Sequence, residues 1–95
     1  MDITIQQAIT AHQQGKFEKA EQLYKVILNM EPNHLDANNN LGVLLFKLGR
    51  FDEAEKSYKK VLELKSNFSE GHFNLGNTLR KLDRFDEAEK SYKKA

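Results

Sequence analysis

The segment Arg50-Phe51-Asp52-Glu53-Ala54-Glu55-Lys56-Ser57-Tyr58-Lys59-Lys60 stands again, without a change, from Arg84 to Lys94, 34 residues further along the chain. At that offset Leu35–Val61 aligns with Ser69–Ala95, and 17 of the 27 pairs are identical. Chance does not produce such a match. A third copy lies upstream, where Gly15, Phe17, Ala20, Glu21, Tyr24, Lys25, Leu28 and Asn33 match Gly49, Phe51, Ala54, Glu55, Tyr58, Lys59, Leu62 and Asn67. The copies are residues 1–34, 35–68 and 69–95, the last one truncated, and together they are read as one domain spanning 1–95.

Each copy is helical twice. In the second, Leu41, Leu44, Leu45 and Leu48 fall at i, i+3, i+4 and i+7, and Ala54, Tyr58, Val61, Leu62 and Leu64 supply another stripe after Gly49. A glycine just past the last apolar residue can take the left-handed conformation that closes a helix, and Asp52-Glu53 then place negative charge at the positive end of the next one. The turn is expected over Gly49 to Phe51. Asp83 stands where the third copy would have this glycine, which aspartate tolerates at a strain of about 1 kcal/mol. Between copies, Glu31-Pro32-Asn33-His34 and Lys65-Ser66-Asn67-Phe68 read as a second kind of turn, with Pro32 a firmer helix stop than Ser66. Ala8, Gly42 and Gly76 on the first helices and Ala20, Ala54 and Ala88 on the second allow close approach, with phenylalanines and tyrosines filling the space around them.

This pattern resembles the tetratricopeptide repeat family, on Leu41-Gly42, Leu45, Ala54 and Tyr58, on Leu75-Gly76, Leu79, Ala88 and Tyr92, and on Ala8, Ala20, Tyr24 and Pro32. The resemblance covers the whole chain and implies an all-α, right-handed α-solenoid of three helix-turn-helix units. Thr4, Asn38 and His72 occupy the place of the family's early tryptophan or tyrosine, where looser packing is expected.

Composition excludes other classes. The chain has 95 residues, too few for two cores. It has no cysteine, so disulfides, thiolate metal sites and thiol nucleophiles are out. No run approaches the ~18 to 20 apolar residues of a membrane span, and the first residues do not form a secretory signal, so a cytoplasmic location is expected. Fifteen basic against fourteen acidic residues argue against a nucleic-acid or anionic-membrane surface. His12, His34 and His72 fall at unrelated positions of their copies and have no metal-ligand spacing. Asp52, Glu53, Asp86 and Glu87 are explained by helix N-termini, and Gly71 to Gly76 lacks a phosphate-cradling spacing. The lysines at 56, 59, 60, 90, 93 and 94 read as solvated helix surface. No catalytic activity, metal or cofactor is expected.

A binding surface remains. The resemblance implies that positions 2, 5, 6, 9, 12 and 13 of each copy line a concave groove. Here these are Asp2, Ile5, Gln6, Ile9, His12 and Gln13; Asp36, Asn39, Asn40, Val43, Phe46 and Lys47; and Glu70, Phe73, Asn74, Asn77, Arg80 and Lys81. Asn40 and Asn74 repeat at one position, with Gln6 in register. A column of amides can pair with the backbone of an extended peptide whatever its sequence, in the manner of the asparagine ladder of O-GlcNAc transferase superhelices. The carboxylate clamp of chaperone-binding members is not reproduced, since Ile5, Ile9, Glu70 and Asn74 stand at its other positions and only Asn40 matches. The sequence thus predicts a non-catalytic module that binds a protein or peptide segment. The alternative is a structural, self-associating fragment of a larger protein, such as a glycosyltransferase or sulfotransferase carrying such repeats. In that reading Leu75, Leu79, Leu82, Phe85 and Tyr92 include side chains left partly bare on an uncapped last pair, which associates with another copy.

Overall fold

The computed structural model describes residues 3–95. Thr4 opens α1 (Ile5–Gln13) with a capping box, its side chain accepting from the Gln7 amide while the Gln7 side chain accepts from the Thr4 amide. Then follow α2 (Phe17–Met30), α3 (Leu35–Lys47), α4 (Phe51–Leu64), α5 (Ser69–Lys81) and α6 (Phe85–Lys94).

Within each pair the joint is the same. Gly15, Gly49 and Asp83 have φ of 76°, 77° and 60°. The next amide, of Lys16, Arg50 or Arg84, donates back to Ala11, Leu45 or Leu79 at 2.9 Å, and the amides of Gly15, Gly49 and Asp83 donate to His12, Phe46 and Arg80 at 3.0 Å. This is the Schellman closure, which satisfies carbonyls that a helix end leaves open. Asp83 takes the glycine conformation as expected, and Phe51 is already the first residue of its helix rather than part of the turn.

The turns between pairs correct an expectation. α2 and α4 end at matching residues, with Glu31 N–H on Ile27 O at 2.7 Å and Lys65 N–H on Val61 O at 2.8 Å. The helix before Ser66 stops at the residue equivalent to the one before Pro32, and later side chains hold both turns. Asn38 Nδ2 donates to the carbonyls of Pro32 (3.1 Å) and His34 (2.9 Å), and His72 Nε2 lies 2.8 Å from the carbonyl of Ser66. Both side chains are buried. The expected looser packing at Asn38 and His72 is therefore not found: a polar side chain there fastens the preceding turn instead of filling a hole. Thr4 serves as the N-cap.

The small positions do what close packing requires. Ala8, Ala20 and Ala54 are fully buried, and a Cβ on Gly42 would stand 2.8 Å from the Tyr58 ring. α1, α3 and α5 touch one another in sequence, whereas among the described residues the backbones of α2 and α4, and of α4 and α6, stay further apart and meet only through long side chains. First helices crowded together and second helices held apart curve the stack, with α1, α3 and α5 on its concave side. The molecule measures 44 × 24 × 18 Å. Of the five residues among which bare side chains are expected, Leu75 and Leu79 are buried in the core because α5 packs on α4 as well as on α6. Phe85 is exposed, and Leu48, at the end of its helix, partly so.

An interunit ladder of charge joins the second helices. Arg50 Nη1 donates to Glu21 at 2.7 Å while its Nε and Nη2 hold Glu53, and Arg84 repeats this with Glu55 and Glu87. The hydrogen bonds from Arg50 and Lys25 pull the Glu21 carboxyl down to about 2.

Candidate functional site

Two hollows open between the first helices. One, of about 310 Å³, is lined by Ile9, His12 and Gln13 of α1, Tyr24 of α2, and Asn40 and Lys47 of α3. The other, of about 110 Å³, is lined by Val43 and Phe46 of α3, Tyr58 of α4, and Asn74 and Asn77 of α5. In both, an asparagine at the same register position stands on one wall and the tyrosine of a second helix forms the floor. The spacing 34 residues apart places Asn40 and Asn74 one in each hollow.

The first hollow has a cationic rim. His12 Nδ1 lies 3.3 Å from the Tyr24 hydroxyl, and its ring meets Phe17 edge to face at 5.9 Å. Lys47 Nζ sits 5.3 Å over the Phe17 ring. Partial burial, and then the Lys47 charge, hold the His12 imidazole below its ordinary pKa, so it is largely neutral at pH 7. Burial pushes the Tyr24 hydroxyl up to about 12.

The second hollow is apolar with amides. The Phe46 ring packs edge to face on Phe51 at 5.2 Å, and the Tyr92 hydroxyl donates to Asn77 Oδ1 at 2.6 Å, which leaves the Asn77 NH2 free to donate. Burial, and then the Glu70 charge, push the Tyr58 hydroxyl well above its ordinary range.

Of the residues named from the sequence, Ile9, His12, Gln13, Asn40 and Lys47 meet in the first hollow and Val43, Phe46, Asn74 and Asn77 in the second. Phe73 is exposed beside them, its ring 6.0 Å from that of Tyr92. Asn39 is half-buried, and its Oδ1 is buried without a hydrogen-bond partner among the described residues. Asp36, Glu70, Arg80 and Lys81 are exposed and line neither hollow, nor does the half-buried Ile5. Gln6 lines a different hollow at the start of the stack, with Ile3, Thr10 and Leu23, so the amide column begins at Asn40. Asp2 lies outside the described residues. Tyr24 and Tyr58 line these hollows and were not among the residues named from the sequence. Their signal was a tyrosine, not a phenylalanine, in all three copies: a buried ring that keeps a hydroxyl has a polar place to put it.

Among the described residues no helix is long and apolar enough to cross a membrane, and no three His, Asp or Glu cluster as metal ligands. A family model described as "Tetratricopeptide repeat" matches residues 33–95, and a second with the same description matches residues 5–33. Among solved structures, MamA AMB-1 is 32% identical with a TM-score of 0.87, over 92% of this chain and 48% of that one. MamA MSR-1 is 31% identical with a TM-score of 0.85, over 92% and 50%. The first TPR of Spaghetti (RPAP3) bound to HSP90 peptide SRMEEVD is 21% identical with a TM-score of 0.89, over 94% and 71%, a likeness of fold. The chain spans about half the length of the MamA chains it matches.

Proposed function

The chain belongs to the tetratricopeptide repeat family and is a protein-interaction module, and from that premise we propose that it binds an extended peptide in the groove of α1, α3 and α5. The carrying observation is that Asn40 and Asn74 each stand in one of two successive hollows, each beside the hydroxyl-bearing ring of Tyr24 or Tyr58. An amide offers both a donor and an acceptor to a peptide backbone, so two in register grip two peptide units independently of side chains. Val43 and Phe46 add apolar surface to the second hollow. The units are residues 1–34, 35–68 and 69–95 of one domain, with Asn39, Phe73, Arg80 and Lys81 as flanking contacts. No catalytic role is assigned to any residue.

The test is a positional-scanning library of acetylated, amidated octapeptides, read on wild type and on the Asn40→Ala/Asn74→Ala double variant. The double variant is expected to lose about 1 to 3 kcal/mol of affinity, with thermal stability almost unmoved. Unchanged affinity would transfer the anchoring to Phe46 and Phe73.

One observation favours a second reading, docking of the last pair on another helical unit. Glu21 and Glu55 are each held by an arginine of the following pair, whereas their equivalent, Glu89, pairs among the described residues with Lys93 alone and is 66% exposed. Sedimentation across a wide concentration range, with Glu89→Arg beside wild type, tests it.

A further inference from the structure

The hollow between α1 and α3 differs from its neighbour in charge. Among the described residues, the ionisable groups on its lining are His12, Lys47 and the Tyr24 phenol. The ion pairs among the described residues involve Lys25, Arg50, Lys59, Lys60, Arg84 and Lys93, and Lys47 joins none of them. Asp36, the acid of the same helix, lies eleven residues toward the N-terminus, on the order of 16 Å away along the axis.

A base at a helix end is ordinarily explained by the helix dipole. Here the α3 carbonyls are already occupied: Leu44, Leu45 and Phe46 accept the amides of Leu48, Arg50 and Gly49. The same holds at α1, where Thr10, Ala11 and His12 accept from Gln14, Lys16 and Gly15. The carbonyls at these helix ends thus have backbone partners and do not call for a lysine to satisfy them. Lys47 is instead steered by the Phe17 ring toward the hollow in which His12 also stands.

We infer that the hollow between α1 and α3 is a subsite for an acidic side chain of the bound peptide, its carboxylate meeting Lys47 Nζ and His12, with the Asn40 amide on the adjoining backbone. This inference rests on the groove reading above. The second hollow refuses the same side chain, because it has no cation on its lining and Glu70 acts on its Tyr58 floor. Packed helices lie about 8–10 Å apart and an extended chain advances about 3.3 Å per residue. The acidic residue therefore stands about three positions from the residue seated against Val43 and Phe46.

Protonation enters through His12, which is faced by Tyr24 and the uncharged Phe17 from α2 and by Lys47 from α3. A carboxylate in the hollow favours the imidazolium, so an acidic ligand raises the His12 pKa on binding and binds more tightly as pH falls toward 6.

The octapeptide library decides this with three proteins, wild type, Lys47→Arg and Lys47→Glu; Lys47 is exposed and its replacement leaves the core intact. Wild type and Lys47→Arg are expected to favour Glu over Gln at one position by about tenfold. Lys47→Glu is expected to lose that preference and turn to Lys. The His12 ring, followed by NMR, is expected to titrate at higher pH with the Glu peptide than with its Gln twin. A second arm gives the Gln peptide a free C-terminal carboxylate, and a gain confined to that arm would overturn the side-chain assignment. Peptides that bind through Asn40 and Asn74 with no Glu preference overturn this inference and leave the groove standing. Retention of no peptide at all overturns both.

Discussion

Arg50 and Glu21, separated by 29 residues of chain, meet at 2.7 Å, and the contact ties the second helix pair to the first from the outer side of the stack. Glu21 is the more enclosed partner, with its side chain 15% exposed. Its carboxyl is held at about 2, below the 4.5 of the free group, so its contribution is complete above pH 4.5 and is lost as pH falls from there through 2. We expect Glu21→Gln to remove on the order of 1 kcal/mol at pH 7, solvent screening included, and to flatten that part of the acid limb. Urea midpoints between pH 7 and 2 provide the measurement; identical slopes for the two proteins would contradict it.

Gly42 and Gly76 occupy equivalent positions but are expected to respond differently to alanine. The new methyl meets Tyr58 at 2.8 Å in one case and Tyr92 at 2.7 Å in the other. Tyr58 is 2% exposed and can yield little, whereas Tyr92 is half-buried and can swing. Overpacking costs about 1–3 kcal/mol and the better helix former returns about 1. Gly42→Ala should therefore lose about 1 kcal/mol and Gly76→Ala should be near neutral. Chemical denaturation of both variants separates the two outcomes.

At Asp83, φ is 60°, a conformation that glycine reaches without a Cβ clash. Asp83→Gly is expected to gain up to about 0.5 kcal/mol, the relief of strain exceeding the added entropy of the unfolded chain, and Asp83→Ala to lose about 1. A melting temperature for Asp83→Gly below wild type would show that the aspartate side chain has a local role of its own.

Asn38→Ala removes two hydrogen bonds to the carbonyls of Pro32 and His34 in a buried site, and a loss of about 1–3 kcal/mol is expected. Hydrogen exchange should speed up first in the turn at residues 31–34. A uniform increase across the stack would instead mean that the turn does not open by itself.

These variants mark where the sequence was legible. The 34-residue period, the helix pairs, the left-handed positions at Gly49 and Asp83, and the small-residue contacts were readable because each rests on local chemistry repeated three times. The turn fastening by Asn38 and His72 was not: a polar residue in an aromatic position looked like a defect until the carbonyls six residues back were in view. The Arg50–Glu21 contact needs the angle between successive pairs, which no single helix encodes. Asn40, Asn74, Phe46 and Lys47, named on the family resemblance, do line the two hollows. Gln6 does not, because it opens on the hollow with Ile3, Thr10 and Leu23 instead of facing another first helix.

The tyrosines at the groove floor give the chain its own optical probes. It has three tyrosines and no tryptophan, so its intrinsic emission comes from Tyr24, Tyr58 and Tyr92 alone. Tyr24 is bonded to His12, Tyr92 is bonded to Asn77, and Tyr58 lines the hollow between them. Phenol emission responds to whatever accepts or donates at the hydroxyl. A molecule entering either hollow thus alters the light from a known ring, and occupancy along the groove becomes visible in the unlabelled protein, one chromophore at a time as each tyrosine is replaced by phenylalanine.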